Sequence, residues 1–207
     1  MTTTRVEVFM EFEVYYDYAC PFVYRASLLL SSVAAERPID VRWRYFSLTQ
    51  VNTKDEGWTA WDAPASERVR GRLAFMAAEA AWRQDRFDRF HATLLRARHE
   101  GRISIDEVEA IEQVAEDSGL DLDRFRHDLA DSTILAALAR DHTHAVSEHG
   151  VFGTPTFVFS NGASAYIRIA EVPSPRDAAK MFDSLIAIAA DEQRVLEIKR
   201  PVKPTPD

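Results

Sequence analysis

The chain has 207 residues, 46% of them hydrophobic, which is enough apolar material for a buried core in one domain with an elaboration. Its 33 acidic and 25 basic residues give a formal net charge of -8, which argues against nucleic acid or an anionic membrane as a partner because both need a basic face. The first residues lack the basic and apolar regions of a signal peptide, and no later segment is apolar over a bilayer-spanning length, so we expect a cytoplasmic protein.

The first part of the chain predicts a β-α-β unit. Apolar residues occupy every second position over 6–16, with glutamates between them, which is typical of a strand. After Pro21 the apolar spacing becomes helical and continues to about Arg37-Pro38, because proline disfavours a helical residue before it. Alternation returns over 39–45, which predicts a second strand reached by a right-handed crossover.

A long polar loop and a block of helices are predicted next. The loop covers 47–64 and contains Gly57, Trp58, Trp61 and Pro64, and its length indicates a functional segment. Helical spacing then extends from about 66 to 149. Ser104 and Glu107 have the spacing of a capping box, and the last helix, over about 132–149, is expected to end at Gly150.

The last part predicts a hairpin and a helix. Residues 156–160 form a strand pattern, and Asn161-Gly162 is a strong turn signal that pairs it with 166–169. Ser174 and Pro175 predict a helix start, and the helix continues to about Val195. The tail over 199–207 is expected to be loose. The predicted order is therefore β-α-β, a helical block, then β-β-α.

Cys20 is the only cysteine, and it lies where the first helix begins. An internal disulfide is excluded, so any sulfur partner must come from another molecule. Unpaired N–H groups and the helix macrodipole favour a thiolate at such a position, which makes Cys20 a candidate nucleophile. A free cysteine is more often a small buried hydrophobic residue, and spacing alone leaves both interpretations open.

A second special position is Pro155 in GVFGTPTFVF, 150–159, immediately before a predicted strand. A proline there indicates either an edge position or a cis bond that presents the preceding residue's backbone to a neighbouring site. The two interpretations stay open at this point, but the combination of Cys20-Pro21 with Thr154-Pro155 is more informative than either pair alone.

The segments YDYACPFVY, 16–24, and VFGTPTFVF, 151–159, together resemble the DsbA-like branch of the thioredoxin superfamily. In that branch a C-P-x-C-Y helix start faces a cis-proline loop. The resemblance covers nearly the whole chain and includes FSLTQVN, 46–52, which is similar to the cytoplasmic group of predicted dithiol-disulfide isomerases named after FrnE. It implies an α/β thioredoxin fold, with a thioredoxin-like domain over 1–62 and 140–207 and an inserted all-helical domain over 63–139.

The resemblance also implies which residues form the site. It implies Cys20 as the nucleophile and Thr154-Pro155 as the loop whose backbone pairs with a bound substrate. The implied catalytic residues are Cys20, Pro21 and Tyr24, and the expected substrate-binding residues are Phe22, Val23, Thr154, Pro155, Trp58 and Trp61. Val23 stands where dithiol members have their second, resolving cysteine, so this chain cannot form the family's disulfide within its own motif.

Three functions remain open. The first is monothiol exchange on a protein or small-molecule disulfide, with an external low-molecular-weight thiol as co-substrate and no tightly bound cofactor. The second follows from a more distant resemblance to kappa-class glutathione transferases and 2-hydroxychromene-2-carboxylate isomerases, where Trp58 and Trp61 would wall an apolar pocket. The third is a non-catalytic protein that binds a peptide or ligand. A homodimer is compatible with all three.

Neighbouring side chains carry further expectations. Tyr15, Tyr16 and Tyr18 should pack in the core, whereas the Tyr24 hydroxyl is a candidate hydrogen-bond donor to the thiolate. Asp17 is either a helix-start residue or an acid that tunes the thiol. The histidines are not arranged as metal ligands, and His142 and His144 are expected on a solvated helix face, so no metal site is predicted.

Overall fold

The computed structural model describes residues 10–200, and a mixed sheet lies at its centre. The strands of this sheet are β1 (Met10–Tyr16), β2 (Ile39–Tyr45), β3 (Thr156–Phe159) and β4 (Ser164–Tyr166). Their order across the sheet is β2-β1-β3-β4. β1 runs parallel to β2, with Tyr16 opposite Tyr45, and antiparallel to β3, with Tyr15 opposite Thr156. The expected strand positions 6–9 and the tail 201–207 lie outside the described residues.

Helices connect the strands in the predicted order. Within residues 10–200 they are α1 (Pro21–Ala34), α2 (Leu48–Asn52), α3 (Arg72–Arg83), α4 (Phe87–His99), α5 (Val108–Asp117), α6 (Leu122–Leu129), α7 (Ala136–His149) and α8 (Pro175–Ala189). α1 joins two parallel strands, which confirms the predicted β-α-β unit. α3 to α7 fall between β2 and β3, as the predicted inserted helices do. None of the helices within the described range is long and apolar enough to cross a bilayer.

Two turn and cap predictions are confirmed. α7 ends at Gly150, whose φ of 61° is the left-handed conformation that glycine adopts without steric cost. The Asn161-Gly162 turn closes with the Gly162 N–H donating to the Phe159 carbonyl, and it joins β3 to an antiparallel β4. The hairpin therefore forms where the local turn chemistry predicts it.

Several predicted boundaries are wrong. The polar loop contains α2, because the Ser47 side chain accepts the Gln50 N–H and starts a helix that has no apolar periodicity. The capping box does not form, since α5 begins after Glu107 and Ser104 Oγ accepts the N–H of Asp106 instead. β4 covers 164–166 rather than 166–169, α7 begins at Ala136 rather than 132, and α8 ends at Ala189 rather than Val195.

Two large cores lie side by side on one face of the sheet, the face of Phe12 and Tyr16 in β1. In the first, aromatic residues of β1 and β3 such as Phe12 and Phe157 pack with Leu29 of α1 and Phe182 of α8. In the second, the carboxyl end of β1 and the start of α1 share a core with the inserted helices. This second core includes Tyr16, Tyr18, Cys20, Val23, Phe75, Phe90 and Leu94. The helices therefore support the segment that carries the cysteine, and the division at 63–139 stays a prediction.

Candidate active site

Cys20 lies between β1 and α1, as the N-cap residue of that helix. Its φ and ψ of -87° and 115° are extended, which is usual for an N-cap. The Cys20 N–H donates to the Asp17 carbonyl at 3.0 Å, and the Cys20 carbonyl accepts from the Val23 N–H at 3.2 Å. Pro21 is then the first helical residue, where its missing N–H costs no hydrogen bond. The backbone thus fixes the cysteine at the helix start.

The thiol faces the loop before β3. Cys20 Sγ donates to the Thr154 carbonyl oxygen at 3.2 Å, although the two residues are 134 positions apart in sequence. The peptide bond between Thr154 and Pro155 is cis. Only 6% of Cys20 is exposed, but this residue and Thr154 both line an open cleft of about 570 Å³. The structure therefore brings the two distant motifs together at one surface.

Three chain segments form the cleft, together with one arginine. The first is the cysteine loop with the start of α1, the second is α2, and the third is the loop before β3 with the end of β4. The lining residues are Asp17, Ala19, Cys20, Pro21, Phe22, Leu48, Thr49, Asn52, Arg70, Phe152, Gly153, Thr154 and Tyr166. The arrangement places one largely buried thiol at the wall of the cleft, between a helix start and a backbone carbonyl, where an incoming sulfur can approach it.

Asp17 connects the cysteine loop to α2. Its side chain is buried, and its two carboxylate oxygens accept the N–H of Ala19 at 2.8 Å and the N–H of Leu48 at 2.7 Å. Burial raises the pKa of Asp17 from 3.8 to about 6, while the two N–H donors and the positive charge of Arg70 oppose that rise. Asp17 thus fixes the position of the cysteine loop relative to α2, and these two segments form two walls of the cleft.

The comparisons with known proteins agree with this geometry. The family model of the DSBA-like thioredoxin domain matches residues 11–178. The chain belongs to the DsbA-like thioredoxin family. Both the resemblance and the α/β thioredoxin fold with inserted helices are therefore confirmed, and the two alternative functions are not favoured.

Relatives of this DsbA-like protein match over most of its length. The uncharacterized protein Rv2286c of Mycobacterium tuberculosis strain H37Rv is 25% identical over 195 residues, which cover 93% of this chain and 82% of the relative. The structure of a probable DsbA oxidoreductase from Streptomyces coelicolor is similar with a TM-score of 0.63 and 19% identity, over 95% of this chain and 94% of that one. The cytosolic disulfide reductase DsbM from Pseudomonas aeruginosa, solved with GSH, gives a TM-score of 0.60 and 18% identity over 86% and 99%.

Some of the residues predicted for the site line the cleft, and others lie in the core. Pro21, Phe22 and Thr154 line the cleft together with the cysteine. Pro155 is buried, and its carbonyl accepts the Ile167 N–H at 3.1 Å. Val23 is completely buried in the core shared with the inserted helices, so the structure contradicts its prediction as a substrate contact.

Tyr24 is directed away from the thiol. Its hydroxyl donates to Glu100 Oε1 at 2.5 Å, and its ring stacks on His99 with centroids 5.5 Å apart. His99 in turn contacts the Tyr18 carbonyl through Nε2 at 3.0 Å. The expectation that the Tyr24 hydroxyl donates to the thiolate is therefore corrected: this side chain joins α1 to the end of α4.

The two predicted tryptophans do not line this cleft. Trp58 Nε1 donates to Glu67 Oε1 at 3.0 Å, within the same connecting segment. The Trp61 ring lies 5.4 Å from His142 of α7. Their prediction as pocket wall is therefore wrong for the Cys20 cleft, because Glu67 engages one ring and His142 the other.

Two buried histidines have structural partners that sequence reasoning missed. His142 Nδ1 accepts the Ser47 N–H at 3.2 Å just after β2, and burial lowers the pKa of His142 to about 4. His91 Nδ1 lies 3.0 Å from the Tyr18 hydroxyl, and burial lowers the pKa of His91 to about 3. The expected solvated face is therefore correct for His144, which is exposed, and wrong for His142.

Proposed function

We propose that this DsbA-like protein is a monothiol oxidoreductase in which Cys20 exchanges disulfides with an external thiol. The observation that carries the proposal is a single cysteine whose sulfur lies 3.2 Å from the Thr154 carbonyl at an open cleft. Membership of a family of thiol-disulfide oxidoreductases supports it. Since position 23 is valine and is fully buried, the second sulfur must enter from the cleft.

The exchange needs two thiolate attacks. In the first, the Cys20 thiolate attacks one sulfur of a substrate disulfide, so that a Cys20–S–S bond forms and the other substrate sulfur leaves as a thiolate. In the second, an external thiolate attacks the substrate sulfur of that mixed disulfide and releases Cys20 as a thiolate. One S–S bond breaks and one forms in each step, so the protein itself is neither oxidised nor reduced over a cycle.

The cleft residues have separate roles in this scheme. The start of α1 provides the positive end of a helix dipole, which favours the thiolate as nucleophile and as leaving group. We assign Thr154 the role of docking group, because its backbone lies beside the sulfur where a substrate chain must pass. Asp17 fixes the loop that carries both the helix start and the cysteine. Phe22 and Pro21 supply apolar surface for the substrate.

The external thiol is the proposed co-substrate, and no tightly bound cofactor is needed. The structure of DsbM solved with GSH supports a tripeptide thiol as the type of partner that we propose for this cleft. The cytosolic description of DsbM supports the cytoplasm as the compartment, where small thiols are abundant and stable disulfides are rare.

The direct test is a mass-spectrometric assay of Cys20. Wild-type protein and Cys20→Ser are incubated with glutathione disulfide, and the adducts are then exposed to reduced glutathione. We expect one glutathione adduct on Cys20 in the wild type, none in Cys20→Ser, and complete reversal by the thiol together with multiple turnovers of a mixed-disulfide substrate. A wild-type protein that forms no adduct, or turnover that survives in Cys20→Ser, would contradict the monothiol mechanism.

A further inference from the structure

Three arginines line the Cys20 cleft or contact a residue that lines it, and we call Arg25, Arg70 and Arg168 the cationic rim. Arg70 lines the cleft itself. Arg168 and Arg25 both lie against the ring of Phe22, which lines the cleft beside the cysteine. The rim thus brings arginines from three separate parts of the chain to one cleft.

Arg168 is held at the cleft by two aromatic rings. Its guanidinium carbon lies 4.9 Å from the centroid of Phe22 and 5.6 Å from the centroid of Tyr166, and both rings line the cleft. The Tyr166 ring packs in turn against Phe152, with centroids 5.0 Å apart. Such cation–π contacts orient a guanidinium but leave its N–H donors available to an anion. The rings of Phe22 and Tyr166 therefore hold the exposed guanidinium group of Arg168 beside the cleft.

The rim arginines make no salt bridge with a carboxylate within residues 10–200, whereas Arg68, two positions before Arg70, is paired with Glu107. Arg25 donates to the Ile169 carbonyl, which is a neutral partner. The carboxylate that lines the cleft is Asp17, whose oxygens accept backbone N–H groups, and its single negative charge, which interacts with Arg70, offsets one of the three positive charges. The rim is thus a local excess of positive charge on a chain whose formal net charge is -8.

We propose that the cationic rim selects low-molecular-weight disulfides and thiols that carry carboxylates. The carboxylate pairs with the guanidinium groups of Arg168 and Arg70 while the substrate sulfur meets Cys20. This inference rests on the proposed function and names its substrate class. The chemistry is the exchange described above: the Cys20–S–S bond forms as the substrate S–S bond breaks, and the departing half leaves as an anionic thiolate.

The same charges distinguish anionic from cationic probes. A pair between an exposed arginine and a carboxylate contributes roughly a 2- to 5-fold effect at low salt, and a cluster adds steering that falls with ionic strength. A thiolate without such surroundings reacts faster with cationic than with anionic disulfides, since its own charge repels anions. We therefore expect the rim to reverse or strongly reduce that intrinsic preference.

The experiment measures the rate of mixed-disulfide formation on Cys20 with two probes. Dithiodiglycolate carries two negative charges, and cystamine carries two positive charges. The ratio of the two rates is compared with the same ratio for a short unstructured peptide that contains one cysteine. For the wild type we expect an anion-to-cation ratio about 10-fold or more above that of the peptide at about 0.01 M ionic strength, and a much smaller difference at about 1 M.

The variants Arg168→Gln and Arg70→Gln should each lower the ratio by roughly 2- to 5-fold, and Arg168→Lys should restore most of it. Arg68→Gln is the matched control, because it removes the same charge from the same loop at a residue that is paired with Glu107 and does not line the cleft. A wild-type ratio equal to that of the peptide, or an equal effect of Arg68→Gln, would overturn the inference. If neither probe reacts with Cys20, the proposed function itself fails, which is a separate result.

Discussion

Replacing Asp17 by asparagine should change how the stability of this protein depends on pH. The Asp17 side chain is 1% exposed, and its two oxygens accept two backbone N–H groups, from Ala19 and Leu48. Asparagine offers one acceptor oxygen, so its amide group must face one of those N–H donors. An unmade hydrogen bond of this kind costs about 1–3 kcal/mol, although the substitution also removes a charge from a buried position.

The pH effect follows from the raised pKa of Asp17. The ordinary value is 3.8 and the value in the folded protein is about 6, so the native state binds this proton more tightly than the unfolded chain. Between those two pH values the native state carries more protons, and the free energy of unfolding therefore falls as the pH rises. Protonated Asp17 therefore stabilises the folded state by about 3 kcal/mol. This stabilisation is fully present below pH 3.8 and is lost as the pH rises through about 6.

Urea unfolding of wild type and Asp17→Asn at several pH values measures this contribution. The difference between the two proteins is needed, because His91 and His142 have lowered pKa values and destabilise the fold as the pH falls. We expect the wild type to gain about 2–3 kcal/mol relative to Asp17→Asn between about pH 7 and about pH 4. Parallel stability curves for the two proteins over that range would refute the assignment of the proton to Asp17.

Other substitutions test the surroundings of the site. Gly71→Ala should destabilise the fold by about 1–2 kcal/mol in thermal unfolding, because a backbone φ of 80° is strained for alanine. The added Cβ would meet no atom closer than 3.7 Å, so the strain and not a clash is tested, and an unchanged stability would contradict that backbone conformation. Val23→Cys should allow an internal disulfide with Cys20, detected as a loss of both free thiols under oxidant, and persistence of both thiols would show that the helix start lacks the dithiol geometry. His91→Phe should cost about 1–3 kcal/mol in urea unfolding because the Tyr18 hydroxyl loses its partner, and a double-mutant cycle with Tyr18→Phe that shows no coupling would exclude that hydrogen bond.

The order of the elements was predictable because its signals are local. Alternation gave β2 over its observed range, and the Asn161-Gly162 turn and Gly150 have backbone preferences that act within a few residues. The five-residue helix α2 was missed, since a single turn capped by Ser47 leaves no apolar period to detect. Missing this helix mattered, because α2 forms one wall of the cleft.

The site was predictable in part, because a motif identifies chain positions but not side-chain directions. Cys20 and Thr154 meet as the two motifs together indicated. Val23 and Tyr24, the neighbours of the motif residues along the helix, turn into the core and toward Glu100 instead. Arg70 was missed, since it comes from a segment with no motif and reaches the cleft only through the folded path of the chain.

The core that Tyr18, Cys20 and Val23 share with the inserted helices limits how far this chain can be shortened. Excision of 63–139 would leave the apolar side of the first turn of α1 facing water, and the Tyr24 side chain would lose its anchor on Glu100. We expect such a truncated protein to unfold or aggregate rather than to persist as a minimal thioredoxin-like domain. For anyone who engineers this protein, the smallest unit that keeps Cys20 in place includes both regions.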